Sequence, residues 1–236
     1  MSTTASSPEG SPTLAETART RLRRAAGRGS FDRGAADAIP DEAYLAHVGF
    51  VVDGEPRVLP MTYGRIGDRL YLHGAVGNAM LGASAGAQVC VTVTLLDGLV
   101  LARSAFHHSM NYRCVVLYGT ATKVTDDDEK LAAFDAIVNQ SVPGRAAEAR
   151  RSDASELRST LVLRLPIEEG SVKVRGHGVG DAPEDLDLPV WAGVVPLRLT
   201  PGDPVQDPDQ AATPAGWALA APAARLTRRS AARSAP

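Results

Sequence analysis

Only two cysteines, Cys90 and Cys114, occur in 236 residues. They sit in separate strand-like runs without Cys-x-x-Cys spacing, so neither a disulfide framework nor a zinc knuckle is indicated. Cys90, within QVCVTVTLL, reads as a small buried hydrophobe. No uninterrupted apolar run approaches the ~20 residues that a membrane-spanning helix needs. The opening MSTTASSPEG also lacks the basic-then-apolar layout of a secretory signal. The expectation is a cytoplasmic protein with no membrane partner. Positive charge is not in excess either: the formal net charge is -2. That gives no global electrostatic reason to bind nucleic acid. No internal repeat is visible.

The length suits one domain that can bury a core of useful size. Residues 1–18 and 201–236 are rich in Ser, Thr, Pro, Ala and Arg and are expected to be disordered, leaving 19–200 as the folded domain. Trp217 is isolated in the second tail. The run LAETARTRLRRAAGR (14–28) is helix-compatible and carries Arg19, Arg21, Arg23, Arg24 and Arg28. Such a run is usually a solvated face. The alternative is that one or two of these guanidinium groups reach a bound phosphate, whose geometry they match.

The chain is organised around Glu55 to Met80, EPRVLPMTYGRIGDRLYLHGAVGNAM. Two apolar runs flank Gly67-Asp68 as in a short-turn hairpin. The second run empties into His73-Gly74-Ala75-Val76-Gly77-Asn78. Uncovered backbone amides there, with a helix starting near Asn78, would make an anion site. Read plainly, the same stretch only connects a strand to a helix, and the residues leave both readings open. Asp32 to Ala46 predicts a short helix interrupted at Pro40, with Asp41 capping its continuation. His47 to Val52 is a strand that turns at Asp53-Gly54 into the hairpin. Gln88 to Leu96 and Gly98 to Ala105 predict two further strands around a turn at Asp97-Gly98.

The polar cluster Phe106 to Arg113 then interrupts the apolar pattern, and loops on a rigid scaffold are where binding groups concentrate. Cys114 to Lys123 resumes as a strand. Asp126, Asp127 and Asp128 open a helix that Pro143-Gly144 ends, and a more polar helix is expected over Arg145 to Ser159. Thr160 to Leu165 and Ser171 to Arg175 are strands. Asp181 to Asp187 is an acidic loop, and Leu188 to Leu197 is the last stretch of core character. About seven strands joined by tight turns predict a mainly β fold, a closed or nearly closed antiparallel barrel with peripheral helices.

Together RGSFDR (28–33), HVGFVVDGEPRVLPMTYGRIGDRLYLHGA (47–75), CVTVTLLDGLVLARSAFHHSMNYRCVVLYGTAT (90–122), TLVLRLPIEEGSVKVR (160–175) and DLPVWAGVVPL (187–197) resemble the pyridoxamine 5′-phosphate oxidase-like flavoproteins. The likeness is narrowest to the branch that includes the nitroimidazole-reductase resistance proteins, and it spans roughly residues 19–199. HHSMNYR and VWAGVVPL make it specific.

The resemblance implies an antiparallel split β-barrel, working as a homodimer with FMN between the subunits. It implies that Val58, Leu59, Pro60, Met61 and Thr62 lie along the isoalloxazine ring. By the same resemblance His73, Gly74, Ala75, Asn78, Ala79 and Met80 sit against the ribityl and phosphate groups. Ser109, Asn111, Tyr112 and Arg113 would complete the site at the dimer interface, Arg113 as phosphate partner, with Trp191 near the cofactor mouth or the subunit contact, or else in the core. His73 matches an active-site histidine of the branch, and His73 and His108 are the candidates for proton delivery. Three positions depart from the family pattern. Gly77-Asn78-Ala79 replaces a serine and a basic residue, Cys114 replaces serine, and His177 is unexpected. Thiolate and imidazole are haem ligands, and relatives with this fold bind haem or a deazaflavin. The expected function is an FMN-dependent oxidoreductase acting on a small organic substrate. A haem-dependent enzyme or a non-catalytic flavin-binding protein is the alternative.

Overall fold

The computed structural model describes residues 12–23 and 26–209, with Ala26 and Met80 described by their backbone alone. The elements in order are β1 (Gly29–Ser30), α1 (Arg33–Glu42), β2 (Ala46–Val52), β3 (Glu55–Met61), β4 (Tyr63–Ile66), β5 (Arg69–Ala75), α2 (Ala79–Ser84) and β6 (Gln88–Leu101). Then come β7 (Ser109–Thr120), β8 (Thr122–Lys123), α3 (Asp127–Ser141), α4 (Ala154–Ser159), β9 (Thr160–Pro166), β10 (Glu169–Arg175) and β11 (Gly193–Pro196).

Two antiparallel sheets share one core. The larger runs β1-β10-β7-β6-β2-β3, with β11 also pairing β6, and the smaller runs β4-β5-β9-β8. Val48, Val91, Val93, Val115, Leu117 and Val172 of the larger sheet meet Leu70, Leu72, Leu161, Leu163 and Leu165 of the smaller one in a single buried cluster. The period-2 alternation of strands puts these residues on inner faces. Thr62 is where the chain leaves the larger sheet for the smaller. The predicted hairpin about Gly67-Asp68 is therefore β4 with β5, in which Ile66 opposes Arg69. Gly67 supplies a left-handed φ of 56° there. Val58 to Met61 belong instead to β3, which pairs β2 through the two-residue turn Asp53-Gly54. On its outer face the smaller sheet receives α3. Gly64 permits this: a Cβ there would stand 2.6 Å from the Ile137 backbone nitrogen.

Helix starts follow capping chemistry. Asp32 accepts from the Ala35 amide, Asp126 from the Glu129 amide, and Asp153 with Glu156 forms a capping box before α4.

Several expectations are corrected. Among the described residues the sheets form no closed hydrogen-bonded barrel, and eleven strands replace about seven. Helix α1 runs through Pro40 to Glu42, because the lost amide sits near the helix end and Pro40's carbonyl accepts from Tyr63 Oη and Gln140 Nε2. Asp97-Gly98 is no turn but a bulge in one fourteen-residue strand. The helix expected over 14–28 is absent from its described part. Leu14 is buried in the core between bridges from Thr13 to Asp32 and Ala15 to Glu169, which also draws 13–15 out of the expected tail. The helix expected over Arg145 to Ser159 reduces to a single turn (Arg145–Ala147) and α4. The expectations for Arg24, Trp217 and residues 210–236 lie outside the described residues. Among the described residues no helix is long and apolar enough to cross a membrane.

Candidate functional site

The sequence-predicted residues fall into three places. The first is the end of β5. His73 lies opposite Val162 of β9, with its ring edge-on to Phe134 of α3 at 6.5 Å. Neither ring nitrogen of His73 hydrogen-bonds to any described residue, and Nδ1 is sealed from solvent. Burial pushes the imidazole below its ordinary value of 6.5. The ring is therefore neutral at pH 7, with a lone pair that no protein donor uses. Beyond it Gly74 presses on α2, where a Cβ would meet the Leu81 side chain at 3.0 Å.

The anion cradle read into the following loop is largely filled by the chain itself. The Val76 amide donates to Ser159 O, the Asn78 amide to Ala75 O, and the Leu81 amide to Asn78 Oδ1. Helix α2 then lasts six residues, Ala79 and Met80 being its first two.

The second place is β3. It ends its sheet, so its outer backbone edge has no strand partner among the described residues. Pro56 and Pro60 fit such an edge because they have no amide to offer a further strand. Leu59 and Met61 turn to the core while Val58 stays 64% exposed.

The third is the bulge between Leu96 and Gly98, the start of β7 and the segment after β10. Ser109 and Met110 are exposed, Asn111 is buried and Tyr112 is half-buried. His108 Nδ1 donates to Ser104 O at 2.9 Å, which leaves Nε2 as an acceptor. Trp191, 65% exposed, lays its ring over Gly193, where a Cβ would stand 2.8 Å from it.

Arg113, the expected phosphate partner, is otherwise occupied. Four of its hydrogen bonds go to carboxylates: Glu42 of α1 at 2.6 and 2.9 Å, and Asp97 at 2.7 and 2.9 Å. These partners raise its affinity for its proton, and the trio carries a net negative charge. A buried arginine that sequence reasoning passed over stands nearby. Arg175, at the end of β10, donates to Asn111 Oδ1 and to the carbonyls of His177 and Gly178. Arg103 was missed as well. Its guanidinium and amide hold the buried Asp181 carboxylate at 2.9 and 3.0 Å, pinning the acidic loop to the end of β6. The only signal for either was a basic residue closing an apolar strand.

No hydrogen bond or ring contact among the described residues joins His73 and α2 to the Ser109–Arg113 group. A cavity of about 440 Å³ opens elsewhere, beside Tyr118, Arg69 and Arg164, and none of the predicted site residues lines it.

Residues 32–174 match the family model described as pyridoxamine 5′-phosphate oxidase. The chain belongs to that family. Among solved structures it is similar to the flavocytochrome Anf3 from Azotobacter vinelandii, with 37% identity, a TM-score of 0.79, and coverage of 86% of this chain and 94% of that one. It is also similar to a FAD- and haem-binding protein from Mycobacterium smegmatis, with 42% identity, a TM-score of 0.75, and coverage of 78% and 91%. A protein described as conferring 5-nitroimidazole antibiotic resistance, from Bacteroides thetaiotaomicron, matches at 26% identity with a TM-score of 0.50, covering 61% of this chain and 84% of that one. No curated protein matches. The resemblance read in the sequence is thus the family found, and flavin, with haem as the alternative, is the cofactor class it supports.

Proposed function

We propose that this family member is a cytoplasmic, dimeric, flavin-dependent oxidoreductase that also holds haem through His73. The observation that carries the haem assignment is the imidazole of His73. It is half-buried, neutral and hydrogen-bonded to no described residue, beside an aromatic ring, as a side chain kept for an iron atom would be. The other candidate ligands fit less well. Burial pushes the Cys114 thiol up, disfavouring thiolate, and His177 Nδ1 contacts Gly178 O on an exposed loop. The two similar proteins named for both flavin and haem support the pairing.

When bound, the flavin supplies hydride chemistry and the haem single-electron chemistry, with a reduced nicotinamide as donor and a small organic molecule as acceptor. The chain's own contribution is position and access. The unpaired edge of β3, from Val58 to Met61, and Thr62 beyond it offer backbone groups to the polar rim of a flat ring. Ser109 and Tyr112 face the same region from a second copy, and His108 Nε2 is available to accept a proton. FMN is the flavin that the sequence resemblance implies.

The test is the absorption spectrum of the purified protein. Bands near ~450 nm for flavin and near ~400 nm for haem are expected, following from cofactor identity. His73→Ala should lose the second and keep the first. A spectrum with haem retained in that variant would end the assignment, and release of FAD instead of FMN on denaturation would correct the flavin.

A further inference from the structure

Arg175 is the one arginine among the described residues that is buried, at 4% exposure. Arg33, Arg65, Arg103 and Arg113 each meet a carboxylate, whereas Arg175 meets none. Its acceptors are neutral: an amide oxygen from Asn111 and two loop carbonyls. Its Nε–H is sealed from solvent with no acceptor among the described residues. Burying a guanidinium without a counter-charge is costly, and an orphaned donor adds to that cost. The neighbourhood makes the deficit larger. Burial, and then the positive charge of Arg28, push the Arg175 guanidinium below its ordinary value. Arg28, in the turn leading to β1, also has no carboxylate partner among the described residues. Two cations without a carboxylate partner among the described residues thus act on one another, Arg175 lying opposite Tyr112 of β7.

We propose that Arg175, assisted by Arg28, is an anion-binding subsite that takes an anionic oxygen group, phosphate or carboxylate, of the bound cofactor. The subsite rests on the reading that the Ser109–Arg113 group belongs to the cofactor site, and it replaces Arg113 in the role that the family resemblance gave it. A doubly or singly charged oxyanion set beside the guanidinium supplies the missing negative charge. The Asn111 side chain and the His177 and Gly178 carbonyls hold the guanidinium plane in place.

The experiment uses full-length protein freed of its cofactors. FMN is titrated against riboflavin, which lacks the phosphate, and haem against its dimethyl ester, which lacks the carboxylates. Wild-type protein should prefer the charged member of one pair by roughly 10- to 100-fold, the range of a charge-assisted hydrogen bond. Arg175→Gln should erase that preference while leaving riboflavin or the ester unchanged, and Arg175→Lys should restore part of it. The pair that responds identifies phosphate or carboxylate. Preferences unchanged in both pairs overturn the subsite.

Far-UV circular dichroism checks that Arg175→Gln is folded. If it is not, Arg28→Ala decides, with about a threefold fall in preference expected and no fall counting against the proposal. If wild-type protein binds neither flavin nor haem, the proposed function fails separately. Thermal melts in inorganic phosphate then judge the subsite alone: stabilisation of wild type but not of Arg175→Gln sustains it, and equal melts refute it.

Discussion

Glu42 and Arg113 meet end to end, with two near-parallel hydrogen bonds of 2.6 and 2.9 Å fixing helix α1 to strand β7. Asp97 grips the same guanidinium from the bulge in β6, so one side chain ties three elements. Arg113→Ala would leave two carboxylates facing each other. The group is about a third exposed, so solvent screening reduces the cost below that of a fully buried pair, to about 1–3 kcal/mol. The urea midpoint should fall by the corresponding amount with an unchanged slope. Flavin retained per folded molecule should stay near the wild-type value. A large loss of flavin at unchanged stability would show instead that the tie opens to bind the cofactor.

His73 predicts how stability depends on pH. Its folded-state value lies below the ordinary 6.5, so the folded protein disfavours the charged ring. Its contribution is fully present above 6.5 and is lost as pH falls through the lower, folded value. Melting of cofactor-free protein should therefore decline on acidification below 6.5, and His73→Gln should flatten that part of the profile. An identical acid limb in the variant would exclude His73 as its source. Haem occupancy should fall over the same window, because the protonated ring has no lone pair to give.

Local chemistry made parts of this molecule readable before the fold was known. Gly67-Asp68 and Asp53-Gly54 give turns because glycine and aspartate tolerate the backbone angles there. Asp32 and Asp126 cap helices for a reason contained within four residues. The bulge at Asp97 was not readable. Asp-Gly is also turn composition, and only pairing with β7 on both sides keeps the strand continuous. Leu14 was misread for a similar reason, since its place in the core is set by Phe31 and Glu168, whose carbonyls accept from Leu14 and Ala15. The proposed site shows the same division. His73 and Asn111 could be picked out by residue type and resemblance. Whether an arginine is spent on protein carboxylates or left for a ligand depends on contacts across 71 residues for Arg113 and 64 for Arg175.

Gly64 tests how α3 is held over the β5 end. A methyl group there would stand 2.6 Å from Ile137 N and 2.7 Å from the Ala136 carbonyl carbon, both backbone atoms that cannot rotate away. Gly64→Ala should cost about 2–3 kcal/mol by overpacking, lowering Tm by roughly 4–12 °C for a chain of this size. Phe134 rides on the same helix, so haem retention at His73 should weaken in the surviving folded fraction. A variant as stable as wild type would mean that α3 is free to lift from the sheet.

The exposed apolar side chains predict how two copies meet. Val51, Val58, Leu96, Met110 and Trp191 are between 46% and 65% exposed, on β2, β3, β6, β7 and the segment before β11. Apolar side chains left open across neighbouring strands of one sheet signal a partner surface. The residues of β3 and β7 proposed to meet the cofactor lie among them, so covering that surface with a second copy would also enclose the ring. A charge placed in the middle of it costs far more in the dimer than in the monomer, because only the dimer removes it from water. Met110→Lys should therefore shift sedimentation from dimer to monomer and lower flavin affinity together, while Val205→Lys, 95% exposed and outside every strand, should change neither. Flavin lost from a variant that remains dimeric would assign Met110 to the pocket alone. A wild-type protein that sediments as a flavin-loaded monomer would show that one chain completes the site.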